Sequence, residues 1–294
     1  MSNLKTSRTT GYQKVATGQV FLIGILVFGN IFVWTIPVPH GLKVSFLNIG
    51  QGDSIFIEGP TGIQMLVDAG PPDKSVLREL GSVMPLFDRS IDAVVETHPD
   101  QDHLGGIPDV FDRYQVGTFL EPGIPNDTKA TKAVVLAVEK SGVKDIVARR
   151  GMRLILGGGA YADILFPDRD LPKIETNTGS IVMRVVYGNT SFLLNGDSPQ
   201  VIEKYLVSID GKQLQSTVLK AGHHGSKSSS TSEFVKVVNP KYGIFSRGCD
   251  NKYGHPAPIV AQLFSNLQIP IFDTCTDGRI TFISDGESLA IKRQ

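Results

Sequence analysis

The sequence predicts an α/β domain with mixed sheets over residues 43–294, preceded by one N-terminal transmembrane helix. Three observations lead there. Short β-rich runs bounded by turns begin at Lys43 and interleave with moderate helices, with no repeat or low-complexity linker between them. The 294 residues, 20% charged and 41% hydrophobic, have the composition of a folded chain with one large or two small domains. Between Lys14 and Lys43 no residue is charged, and Val20 to Val38 is almost continuously apolar.

That apolar run matches the roughly 17–25 residues a bilayer core requires. Pro37 and Pro39 end the helix, and Trp34 stands where an interfacial aromatic would. A cleaved signal peptide competes with this reading, as does a buried core helix. A signal peptide's apolar core is shorter, about 7–15 residues, and leads to a small-residue cleavage site; here Trp-Thr-Ile-Pro-Val-Pro follows. The expected organisation is a basic cytoplasmic tail at 1–18, a single-pass signal anchor at 19–38 and a globular part from 43. Lys5, Arg8 and Lys14, with no acid in the first 42 residues, place the N-terminus in the cytoplasm and the globular part outside.

The formal net charge is zero, but once the basic tail is set aside 26 basic residues face 29 acidic ones. A globally basic nucleic-acid binder is excluded. Cys249 and Cys275 are the only cysteines. Outside the cytoplasm they could pair, and two small unpaired core residues are the equal alternative.

Along the chain, 44–49, 54–58 and 64–68 read as a strand meander, with turns at Gly50-Gln-Gly52 and Gly59-Pro-Thr-Gly62. Residues 75–87 have helical periodicity. Strand 91–96 leads into the His/Asp cluster, 107–114 is helical, 116–120 is a strand and 128–141 a helix. Strands are expected at 153–156, 161–166, 180–187 and 191–194. Gly157-Gly-Gly159 lacks a following Gly-Lys-Ser/Thr and reads as a hairpin turn rather than a phosphate loop. Helices at 198–207, 231–238 and 257–267 alternate with strands at 218–221, 242–246, 271 and 280–283.

The chemistry concentrates at strand ends. Thr97-His-Pro-Asp-Gln-Asp-His-Leu-Gly-Gly106 puts two carboxylates and two imidazoles into six residues. Alternation along an extended or tightly turned segment sets His98, Asp100 and Asp102 on one side, with His103 beside them. Imidazole with carboxylate suits zinc, manganese or iron, and no local cysteine offers a thiolate site. Asp197 and the pair His223-His224 stand at the exits of two other strands.

This triple pattern resembles the metallo-β-lactamase superfamily. Its His-x-His-x-Asp-His signature corresponds to His98-x-Asp100-x-Asp102-His103, with Asp100 in place of the second His, its early strand-end Asp to Asp68, its bridging Asp to Asp197 and its last His to His223 or His224. The chain is more specifically similar to the extracellular metallo-hydrolase domain of ComEC-type DNA-uptake (competence) proteins. The matching phrases are Phe46 to Ser54, Leu66 to Gly70, Thr97 to Gly106, Asn177 to Val182, Asn195-Gly-Asp197, Leu219 to Ser226 and Tyr253 to Pro256.

The resemblance implies a four-layer αββα sandwich and two divalent ions, zinc or manganese. One ion would take His98, Asp100 and Asp197; the other Asp102, His103, Asp197 and one of His223 and His224. No histidine lies between His103 and His223, so the superfamily's third-motif ligand is missing, and Asn177 and Ser180 occupy that region. Adjacent residues on a strand point to opposite faces, which favours His223 as ligand and His224 as a catalytic, phosphate-facing or leaving-group donor. His255 is a second candidate donor, or a turn histidine. Asp68 is expected to orient a ligand histidine. Asp53 shapes the cleft or holds its own turn, and Ser226 and Lys227 contact phosphate or cap the next helix.

The implied function is a membrane-anchored phosphodiesterase or nuclease acting on DNA at the cell exterior through a metal-bound hydroxide, with a separate DNA-uptake channel protein as partner. Two metals roughly 3.5–4 Å apart acidify a water and neutralise phosphoryl charge. Residues 220–252 add six basic residues against two acids, a local attraction for a polyanion. The alternatives are hydrolysis of a small ester such as a nucleotide, phosphocholine or lactone, and a non-catalytic metal-binding ectodomain.

Overall fold

Fifteen strands, assigned among residues 41–171 and 174–294, which the computed structural model describes, form two mixed sheets. The expected spanning helix at 19–38 and the basic tail lie outside the described residues. No helix among the described residues is long and apolar enough to cross a membrane.

The first sheet has the order β15-β14-β1-β2-β3-β4-β5-β6 and the second β13-β12-β11-β10-β9-β8-β7. The expected meander is β1 (Leu42–Phe46), β2 (Ile55–Glu58) and β3 (Gln64–Val67), paired antiparallel. β4 (Ser90–Val95), β5 (Gln115–Glu121) and β6 (Lys144–Val147) then add in parallel beside β3. β14 (Ile280–Ser284) and β15 (Leu289–Arg293) close the other side.

In the second sheet β7 (Arg153–Gly157), β8 (Ala160–Phe166), β9 (Val182–Tyr187) and β10 (Thr190–Leu194) run antiparallel. Gly158-Gly159 is the β7–β8 hairpin turn, as the sequence predicts. β11 (Val218–Lys220), β12 (Tyr242–Phe245) and β13 (Ile271–Asp273) continue in parallel.

Three apolar clusters define four layers. Val44, Phe46, Ile57, Ala162, Phe192 and Phe282 belong to the cluster between the sheets. Helices Ser75–Val83, Ile107–Arg113 and Lys129–Ser141 cover the outer face of the first sheet through Val76, Leu80, Ile107, Val110, Val134 and Val138. Helices Gln200–Asp210, Ser232–Val238 and Pro258–Asn266 cover the second through Leu206, Phe234 and Phe264. With both faces covered, central strands are buried throughout: β10 and β11 are buried at every position, Thr190, Ser191 and Lys220 included.

Cys249 and Cys275 form a disulfide, which resolves the alternative the sequence leaves open.

Candidate metal centre

Parallel strands send all their carboxyl ends to one side, and loops there gather side chains from distant parts of the chain. Asp68 follows β3, His98 follows β4, Asp197 follows β10, the His223-His224 turn follows β11 and Ser246 follows β12. The loop before β2 brings Asp53. At Gly52, with φ 121°, a Cβ would lie 1.9 Å from the carbonyl oxygen of Asp102. Only glycine lets this loop close onto that turn.

The His98–His103 stretch is not extended throughout. Asp100 is its last extended residue, at φ −95° and ψ 143°, and Gln101–Leu104 is one helical turn. The turn carries Asp102 and His103 back toward His98.

Asp197 is the hub. Its Oδ2 lies 3.3 Å from His103 Nε2, 3.3 Å from His224 Nε2, 3.8 Å from His223 Nε2 and 3.9 Å from His98 Nε2. His224 Nε2 is 3.4 Å from Asp102 Oδ2, and His98 Nε2 is 3.7 Å from Asp100 Oδ2. Asp53, His103, Asp197 and His224, all buried, offer donor atoms within 4.8 Å of one another, a grouping able to hold a metal ion.

The outer contacts aim these rings. Asp68 accepts from the Thr97 N–H at 2.8 Å and the Thr97 hydroxyl at 2.7 Å, and holds His103 Nδ1 at 2.8 Å. The Thr97 hydroxyl spends its one proton on Asp68, so His98 Nδ1, 3.0 Å away, must donate to it. That leaves the lone pair of His98 Nε2 facing inward. His224 Nδ1 donates to the Ser246 carbonyl at 2.8 Å, which likewise turns its Nε2 inward. The Ser246 hydroxyl donates to the Gly52 carbonyl at 3.0 Å, joining the two sheets' loops. Asp68 is thus in hydrogen-bond contact with the His103 ring.

Charge balance follows from burial. Burial pulls His98 well below its ordinary range, helped by the neighbouring His103. Burial is the largest influence on His103 and His224 and opposes their charge, but Asp197 with Asp68 at His103, and Asp197 with Asp102 and Asp53 at His224, together raise both. Asp197 is in turn held well below the carboxylate range by His224, His103 and Lys220 against the burial that would raise it. His98 Nε2, Asp53 Oδ1 and Asp197 Oδ1 are buried with no hydrogen-bond partner among the described residues. Orphaned lone pairs cost about 1–3 kcal/mol each. Three of them within one His/Asp cluster fit a divalent cation.

The structure departs from the sequence reading at three places. His223 and His224 are not on a strand; both have left-handed backbone, φ 49° and 56°. Alternation does not govern them, and both face Asp197. His224 is the buried one, 1% exposed, while His223 is 30% exposed at the mouth with its Nδ1 3.0 Å from Ser228 Oγ. The geometry thus favours His224, not His223, as the inner ligand. Asp53 stands in the cluster itself. Lys220, read only as surface charge, is wholly buried, ion-paired to Asp53 and donating to the Gly196 carbonyl at 2.9 Å.

Of the remaining candidates, His255 lies beside the pair, its ring centroid 5.6 Å from that of His223 and 6.4 Å from that of His224. Ser180 Oγ accepts from the Asp197 N–H at 3.3 Å. Asn177 sits in a 3₁₀ turn with its Oδ1 unpartnered among the described residues. Ser226 is buried and hydrogen-bonds Ser228 Oγ at 3.0 Å. Lys227 is exposed. The basic excess over residues 220–252 shrinks at the surface, because Lys220 is buried and Arg247 is paired with Asp273 at 2.7 Å. Four exposed lysines against Glu233 and Asp250 remain.

Two mixed sheets between helical layers, with a His/Asp cluster able to hold a metal at the carboxyl ends of their strands, are the metallo-hydrolase fold. The chain belongs to the metallo-beta-lactamase superfamily, whose profile matches residues 47–248. Among curated proteins it is 30% identical over 269 residues to ComE operon protein 3 of Bacillus subtilis, covering 86% of this chain and 34% of that protein. It is 28% identical over 259 residues to competence protein ComA of Neisseria gonorrhoeae, covering 88% and 35%. It is 24% identical over 249 residues to recombination protein 2 of Haemophilus influenzae, covering 83% and 29%.

The resemblance is to ComEC-type competence proteins, and the chain spans about a third of the length of these relatives. Among solved structures, the diiron β-hydroxylase CmlA from Streptomyces venezuelae superposes with a TM-score of 0.54 at 17% identity, covering 84% of this chain and 55% of that one. The metallo hydrolase Igni18 from Ignicoccus hospitalis gives 0.52 at 13% identity, covering 83% and 100%. At such identities the likeness is one of fold.

Proposed function

We propose that the chain is a membrane-anchored, metal-dependent phosphodiesterase that cleaves DNA outside the cytoplasm during uptake. The observation that carries this reading is the convergence of His98, His103, His223 and His224 on one oxygen of Asp197. The kinship with proteins named for competence and recombination supports DNA as substrate. The apolar run at 20–38 and its basic flank support an anchor with the N-terminus in the cytoplasm. The disulfide supports an oxidising location for the domain. A separate DNA-uptake channel protein in the same membrane is the partner this reading calls for.

His98, Asp100 and Asp197 would hold one ion, and Asp102, His103, Asp197 and His224 the other; the oxygen-rich first set suits manganese as well as zinc. A bound divalent ion would supply Lewis acidity and an acidified water at neutral pH. The chain does the rest. Asp68 and Thr97 fix the rings of His103 and His98, and Ser246 fixes that of His224, so the donors are set before substrate arrives. In hydrolysis a water oxygen bonds to phosphorus, one ester P–O bond breaks, and the departing oxygen takes a proton. His223 and His255, both at the mouth, are placed to deliver that proton or to hydrogen-bond a phosphoryl oxygen.

The test is a substrate panel. The purified chain, with added Mn²⁺ or Zn²⁺, should cleave single-stranded DNA and bis-p-nitrophenyl phosphate. Turnover of a lactone alone would defeat the proposal.

A further inference from the structure

A second acid-lined cleft lies on the outer face of the first sheet, beneath helix Lys129–Ser141. In register, Val94 pairs with Phe119 and Phe119 with Asp145. Side chains two residues apart on a strand share a face, so Glu96, one residue beyond β4, Glu121 and Asp145 share the outer face of three neighbouring strands, with Glu96 level with Glu121 and Asp145 one row back beside Phe119. They line a cleft of about 370 Å³ whose other walls include Phe119, Ile124 and Val138.

Glu96 is the unusual member. It is 5% exposed, it lines this cleft, and no described residue donates a hydrogen bond to its carboxyl group. Its carboxyl group opens into the cleft, and a side chain this buried with no partner in the protein is normally met by water or an ion. Among the described residues Glu121 receives only the Gly123 N–H. The nearby Arg149 guanidinium is turned to Asp170, at 2.6 Å, and to the Pro122 and Ala148 carbonyls.

We infer that this cleft binds an organic cation, an alkyl ammonium or guanidinium, with its charged head among Glu96, Glu121 and Asp145 and its hydrocarbon against helix Lys129–Ser141. A small hydrated metal ion would satisfy the acids but leave the apolar wall wet. A cation on a hydrocarbon stem satisfies both, and the volume is at the small-molecule end of ligand pockets. The site is separate from the metal centre yet close to it in the chain: Asn126, which also lines the cleft, donates to the Pro99 carbonyl, between His98 and Asp100, at 2.9 Å. The inference does not rest on the nuclease reading.

Calorimetric titration of the 294-residue chain tests it, with agmatine and cadaverine as free amines and N-acetylated, C-amidated arginine and lysine as side-chain mimics. At least one should bind with one-to-one stoichiometry below the millimolar range, and n-pentanol should not bind. Glu96→Gln and Glu121→Gln should each weaken binding at least tenfold. Val135→Trp, which changes a cleft residue 48% exposed to solvent, should block the mouth without touching the core; it carries the test should Glu96→Gln fail to fold. Tighter binding of the capped amino acids marks a basic side chain of a partner as the occupant, and tighter binding of the diamines marks a free amine. Absence of amine binding, affinity unchanged in all three variants, or displacement of the amine by equimolar Mg²⁺ would overturn the inference.

Discussion

The ammonium of Lys220 is wholly buried and ion-paired with the Asp53 carboxylate, at the wall of the His/Asp cluster. The same nitrogen is 3.5 Å from Asp197 Oδ1. One fixed cation thus stands among carboxylates that would otherwise repel one another.

Removing that cation leaves a buried charge uncompensated. Lys220→Met should cost about 3–5 kcal/mol in urea unfolding, and the double change with Asp53→Asn should recover more than half of it. Equal stability of Lys220→Met and the parent would show that the pair is not a unit.

His224→Ala and His223→Ala should part company. The first removes an inner donor and should lower both bound metal, by elemental analysis, and kcat by at least about a hundredfold. The second should keep the metal and lower kcat by roughly 10²–10⁴, the range of a lost general acid. Metal loss in His223→Ala with retention in His224→Ala would reverse the assignment.

Asp68 touches the cluster only through His103 and Thr97. Asp68→Asn should weaken metal binding by about 10–100-fold, the usual effect of losing a partner that orients a ligand histidine. Competition with a chromogenic chelator measures it.

Glu203 has no exposed surface and accepts from the N–H groups of Ser230 at 2.6 Å and Thr231 at 2.8 Å. Burial outweighs these donors and pushes its pKa from 4.5 up to about 7. The folded state therefore holds this proton more tightly than the unfolded one. Its contribution is complete below pH 4.5 and is lost as pH rises toward 7, on the order of 3 kcal/mol in all. Unfolding midpoints at pH 4.5 and 8 should show this slope, and Glu203→Gln should remove it. An identical pH dependence in that variant would count against the assignment.

The disulfide closes a loop across a sequence separation of 26. Cys249→Ser with Cys275→Ser should lower stability by about 3.5 kcal/mol, as chain entropy predicts for a loop of that size. Thermal melting with and without reductant checks it.

What could be read from the sequence was whatever is local. The meander, the helix at 129–141 and the glycine hairpin follow from periodicity and turn residues. β6 and β15 escaped because no position in either is buried. Three of the four positions in β6 are exposed, which erases the alternation that marks a half-buried strand. His98, His103 and Asp197 announced themselves by residue type at strand ends. The orientation of His223-His224 did not, since left-handed backbone at two histidines is set by the packing of the turn. For Lys220 a signal was present: a lysine in the apolar run Val-Leu-Lys-Ala at 218–221 is out of place unless something buried pairs with it.

Ser246 holds His224 through its carbonyl and the Gly52 carbonyl through its hydroxyl. One residue at the seam thus fastens a donor of one sheet to the loop of the other. The centre has no half that survives alone, so heating should not produce an intact but inactive fold. Loss of the site and separation of the sheets should therefore coincide on heating, and activity followed alongside thermal unfolding checks it.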